Sequence, residues 1–147
     1  MIVSFCQSDK HWGSMKLGRT DLTIARFGCL LTSIAMLDGH FPSIINEIFT
    51  AKNVYVDKDG ILDPYYLDDY LIDCGKAAKA LGMVYKYQKT NPGKTCIAET
   101  NFYKSKGFLQ HFFVLLANGH IVDPITGLQG SNKYARKMVS YRLFERA

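Results

Sequence analysis

The chain has no apolar run near the roughly 20 residues that a membrane-spanning helix needs, so no membrane insertion is expected. It has no basic leader followed by an apolar stretch. The first residues reach Lys10 and Trp12 too early for a secretory signal. Synthesis in the cytosol is therefore the expectation, with virion association or release by another route left open. Repeats, low-complexity tracts and linkers are also missing, which leaves a single domain over residues 1–147.

Cysteine is scarce and unpaired. Cys6, Cys29, Cys74 and Cys96 form no CxxC pair, which argues against a zinc site. A chain long enough to build a core, with no secretory signal, has little use for a disulfide framework. Reduced, small, buried cysteines are expected. No metal or organic cofactor is expected either. Asp57-Lys58-Asp59-Gly60, with Asp63 nearby, lacks the acids of a calcium loop and predicts an ordinary turn.

Basic residues exceed acidic ones by 18 to 13, for a net charge of +5, yet they never run five or six together. A solvated basic surface explains them better than a nucleic-acid interface. Tyr85-Lys86-Tyr87 and Phe102-Tyr103-Lys104 alternate aromatic and basic residues that could stack bases. An amphipathic strand and a solvated loop account for them more simply.

What is present is a core. Apolar residues make up 48% of the chain and aromatics 13%, too many for disorder. Residues 1–28 read as an irregular segment anchored by Phe5, Trp12 and Leu17. Leu30, Leu31, Ile34, Ala35 and Leu37 predict a buried helix over 29–38, stopped at Gly39. Pro42 opens a second helix with Ile44, Ile45, Ile48 and Phe49 on one side. A third is predicted over 64–81, capped by Gly82. Strands follow at 83–88, 95–102, 111–117, 119–123 and 138–144, and Asn118-Gly119 predicts a two-residue hairpin turn. Helices first and an antiparallel sheet after them make an α+β domain.

Three residues stand where chemistry is easy. Cys29 follows Gly28 and opens the most apolar helix. A helix N-terminus favours thiolate over thiol, and thiolate is the nucleophile. His111 opens the strand that runs through Leu115. Asp123 ends the next strand, where a carboxylate can orient an imidazole. Gln7, upstream of the helix, offers an amide donor for an oxyanion. Singly, each has a plain alternative: a small core residue, a structural histidine, a turn-former before Pro124 and a surface glutamine. Together they have the composition of a cysteine peptidase site.

Gln7-Ser8-Asp9-Lys10-His11-Trp12-Gly13, Leu17-Gly18, Thr23-Ile24 and Gly28-Cys29-Leu30-Leu31-Thr32-Ser33-Ile34-Ala35-Met36 resemble the bacteriocin-processing-like cysteine peptidases of the papain-like superfamily. Gln110-His111-Phe112-Phe113-Val114 and Val122-Asp123-Pro124-Ile125-Thr126-Gly127 look like the same family's histidine and aspartate blocks. The resemblance spans nearly the whole chain, in order. It implies a papain-like fold, with Cys29 as nucleophile, His111 as general base, Asp123 as orienter and Gln7 at the oxyanion. The gap of 22 residues between Gln7 and Cys29 is longer than in the transporter-linked members. Stand-alone chains of this kind resemble bacterial and phage proteins. The expected activity is hydrolysis of a peptide or amide bond, in protein or in cell-wall peptide. The competing expectation is a catalytically silent domain serving as a virion component or partner-binding protein. Trp12, residues 52–64 and residues 102–110, with Tyr65, Tyr66 and Phe108, are the candidate cleft walls.

Overall fold

The computed structural model describes residues 2–55, 72–106 and 110–147. The Asp57–Gly60 turn, the first part of the 64–81 helix, and Tyr65, Tyr66 and Phe108 lie outside these residues.

The buried helix forms where the apolar period predicts it. Helix α2 (Cys29–Asp38) follows a short α1 (Ile24–Phe27) within the segment expected to be irregular. Every residue of α2 from Cys29 to Met36 is buried, the polar Thr32 and Ser33 included, and Ser33 Oγ donates to Cys29 O at 2.7 Å. Gly39 ends it in the left-handed conformation (φ +83°), donating its N–H to Ala35 O at 2.8 Å. Helix α3 (Pro42–Ala51) has Pro42 in its first turn and buries Ile45 and Phe49. Its apolar stripe is narrower than the sequence suggests, since Ile44 is 40% exposed. Asn46 ties α3 to the N-terminal segment: its side chain accepts from Gly18 N at 3.0 Å and donates to Lys16 O at 2.8 Å.

Helix α4 (Cys74–Ala80) is capped by Asp73, whose carboxylate accepts from Lys76 N. Cys74 is thus a helix-opening residue, not the mid-helix residue the apolar period implies.

The sheet is antiparallel throughout. Its strands are β1 (Met83–Gln88), β2 (Cys96–Thr100), β3 (His111–Leu115), β4 (Ile121–Asp123), β5 (Leu128–Gly130) and β6 (Met138–Arg146), ordered β1-β6-β2-β3-β4-β5. The short β5 carries no strong apolar alternation, and the sequence does not announce it. Helix α2 packs on β3 and α4 on β1. Ile97, Phe112, Val114, Val122 and Phe144 join the helices in one apolar cluster. Cys96, Ala98, Phe113, Leu115, Ile121 and Leu143 form a second cluster with Tyr134. The alternation along β2 and β3 places these two clusters on opposite faces of the sheet.

The β3–β4 turn is one residue longer than the Asn-Gly signal predicts. Val114 pairs with Val122 and Leu115 with Ile121, while Leu116 N bonds His120 O at 2.8 Å. The loop is Ala117-Asn118-Gly119, with Gly119 left-handed at φ +88°. The one-residue correction decides the site. In the predicted register Asp123 lies opposite Val114, on the helix side. In the observed register, continued by one pair, it lies opposite Phe113, on the same face as His111.

Candidate active site

Cys29 is buried at the head of α2. Gly28 precedes it with no side-chain cap. Gly28 N donates to Ile24 O at 2.8 Å, and Gly28 O accepts from Thr32 N at 2.9 Å, so one residue closes α1 and opens α2. A Cβ on Gly28 would stand 2.5 Å from Ile24 O and 2.8 Å from Ile24 Cγ2. No other residue fits without moving the helix head. Gly28→Ala is expected to cost about 1–3 kcal/mol by overpacking and to lower Tm by several degrees in thermal unfolding. Gly75→Ala is the contrast. Its Cβ would meet nothing closer than Asp73 Oδ1 at 3.4 Å, and added helix propensity makes it neutral or stabilising. Equal losses at both positions would contradict the tight joint.

Gln7 connects this helix head to the sheet. Its Nε2 donates to Ala25 O at 2.9 Å, and its backbone N–H donates to Pro124 O at 2.8 Å. Ala25 O lies four residues before Cys29, where an unbroken helix would receive the Cys29 N–H. Gln7 Oε1 is buried and makes no hydrogen bond among the described residues.

His111 and Asp123 are in direct contact. His111 Nε2 lies 3.0 Å from Asp123 Oδ1, and both residues are buried. The imidazole is boxed by rings: Tyr103 edge-on at 5.3 Å, Tyr134 at 5.6 Å and Phe113 stacked at 6.3 Å. The carboxylate is held at both oxygens. Oδ1 also accepts from Ile125 N at 3.0 Å. Oδ2 accepts from Tyr134 Oη at 2.5 Å and pairs with Lys133 Nζ at 3.2 Å. Burial alone would raise the Asp123 carboxyl. The His111 bond and charge, the Tyr134 hydroxyl and the Ile125 N–H outweigh it and hold the carboxyl well below the ordinary range. Burial, then the bonds to Asp123 and Tyr103, push the Tyr134 hydroxyl far up, so it remains a donor. Tyr103 Oη lies 2.8 Å from Tyr134 Oη and extends the network.

The four predicted residues thus divide. His111 and Asp123 touch. Gln7 links Pro124, next to Asp123, with Ala25 in the turn before Cys29. Cys29 itself lies on the helix side, in the cluster with Phe112 and Val114, whereas His111 faces the other side at the first residue of β3, where the strand ends. Tyr134, Tyr103 and Lys133 are additions that spacing does not indicate. Lys133 and Tyr134 stand in a stretch notable only for charge, and the chain returns to Asp123 through β5.

The other cysteines differ. Cys96, fully buried in β2, has its thiol pushed up to about 11 by burial, which leaves it inert. Cys74 also opens a helix, but there the Asp73 side chain is the cap. Cys6 is half-buried, and its thiol donates to Ile125 O at 3.3 Å.

No protein-family model, curated protein or solved structure matches this chain. The site rests on its own geometry. Among the described residues, no helix is long and apolar enough to cross a membrane.

Proposed function

We propose that this chain is a papain-like thiol hydrolase that cleaves a peptide or amide bond with Cys29, His111 and Asp123. The buried His111–Asp123 contact carries the reading. Asp123 engages Nε2, which makes Nδ1 the nitrogen for proton transfer. In the proposed reaction, His111 Nδ1 reaches Cys29 past the end of β3, since the two residues start on opposite faces of the sheet. It takes the thiol proton to give a thiolate–imidazolium pair, and Sγ then attacks the carbonyl carbon. The tetrahedral intermediate collapses as the imidazolium protonates the departing amine, leaving a thioester. His111 then takes a proton from water, the hydroxide displaces Sγ, and the acid and free thiol are released. Asp123, ionised at neutral pH, stabilises the imidazolium between these steps. One Nε2 hydrogen of Gln7 is committed to Ala25 O, and the second is the donor assigned to the oxyanion.

A peptide vinyl sulfone at neutral pH tests this. A single adduct mapped to Cys29 is expected, although Cys29 is 6% exposed and Cys6 is more open. The same adduct is expected to vanish in Cys29→Ala. Equal adducts on Cys6 and Cys29, or none on Cys29, would favour the silent binding domain.

A further inference from the structure

A cleft of about 490 Å³ lies between the N-terminal segment and the start of α3. Trp12 and Phe41 stack at 5.8 Å, and Phe5 meets Trp12 edge-on at 5.6 Å. Phe41 is 58% exposed, so an apolar face remains open to a ligand. Ser4 and Ser43 also line the cleft, as does one carboxylate, Asp9. Asp9 Oδ1 takes both His11 donors, the backbone N–H at 2.8 Å and Nδ1 at 2.7 Å. Asp9 Oδ2 makes no hydrogen bond within the described residues.

We propose that this cleft binds the side chain of a peptide residue that ends in a primary amine, as lysine does. Asp9 Oδ2 is the counter-ion, and the Phe41 and Trp12 rings are the walls. A lysine-like side chain is apolar along its stem and charged at its tip, and both parts find partners here. Ring faces and a carboxylate both attract a cation and repel an acid. Among the described residues that line the cleft, His11 alone can carry positive charge, and it is already turned to Asp9; Lys10, outside the lining, also acts on Asp9 with its charge. The cleft is also joined to the proposed centre. Trp12 Nε1 donates to Cys6 O at 2.9 Å, and the next residue is Gln7. Binding stands on the cleft itself. Calling the bound residue part of a substrate rests on the hydrolase reading.

Trp12 is the sole tryptophan, so its fluorescence reports occupancy. The titration uses Nα-acetyl-lysine methylamide, with the norleucine and glutamate analogues as comparators. It is run in Cys29→Ala to exclude turnover, with calorimetry alongside. Binding of the lysine analogue at least tenfold tighter than norleucine, and exclusion of glutamate, are expected. Asp9→Asn keeps an acceptor for the His11 N–H; it should remove the lysine preference and leave norleucine unchanged. Phe41→Ala, at an exposed position, should weaken both. Equal lysine and norleucine affinities, a glutamate preference, or no binding of any analogue would overturn the proposal. Loss of binding with the Cys29 adduct intact defeats the cleft alone. Binding without any Cys29 adduct defeats the hydrolase reading alone.

Discussion

Asp123→Ala is expected to lower stability by about 3 kcal/mol or more, because several donors lose one shared buried acceptor and each buried donor left unsatisfied costs about 1–3 kcal/mol. For a domain of this size that corresponds to a fall in Tm on the order of 10 °C. The substitution deprives His111, Lys133, Tyr134 and the Ile125 N–H of one shared acceptor. Tyr134 retains Tyr103, so the loss is concentrated on His111. Tyr134→Phe removes one donor and should cost less, about 1–3 kcal/mol. The pH dependence follows from the depressed Asp123 carboxyl. A folded-state value below the unfolded one gives stability that is fully present above roughly pH 4 and declines as pH falls further. Asp123→Asn should flatten that acid limb. Urea midpoints from pH 2 to 7 measure both effects. Wild-type and Asp123→Asn curves that stay parallel throughout would show that the carboxylate does not hold the fold.

The second large effect is kinetic. On the proposed mechanism, His111→Ala is expected to reduce hydrolysis by roughly 10⁴-fold or more, about as much as Cys29→Ala, because a nucleophile and its base act as one unit. The double variant should lose no more than either single one. His111 sits in a ring box that an alanine leaves partly empty, so a folding check accompanies the assay. Near-native circular dichroism with lost turnover is the expected combination. Additive losses would indicate that Cys29 and His111 do not serve one step.

Much of this arrangement is legible in the amino-acid order, for identifiable reasons. The stretch from Cys29 to Met36, apolar but for Thr32 and Ser33, is best satisfied by burial, so α2 and its first residue are readable. Gly28 is legible as a close approach, and the 2.5 Å clearance for a Cβ gives the cause. His111 at a strand start is equally plain. The β3–β4 register is not, because Asn-Gly suits a two-residue turn while this chain places Gly119 left-handed in a three-residue one. A shift of one residue transfers Asp123 from the helix side to the face of His111. Tyr134 escapes detection because its partner, Asp123, is 11 residues away along the chain, and Tyr103 because its partner, Tyr134, is 31 residues away. Nothing in their immediate neighbours encodes either contact. The helix over 64–81 is misjudged at Cys74, since Asp73 caps a helix that begins only there.

The central claim is that His111 makes Cys29 a thiolate near neutral pH. Its most direct test is the pH dependence of iodoacetamide alkylation, followed residue by residue by mass spectrometry. Cys29 should react faster than Cys6 at pH 7, with an inflection well below the roughly 8.5 of a free thiol. In His111→Ala that inflection should move back to the free-thiol range. A Cys29 that titrates like Cys6, or whose profile is unchanged by loss of His111, would contradict the claim.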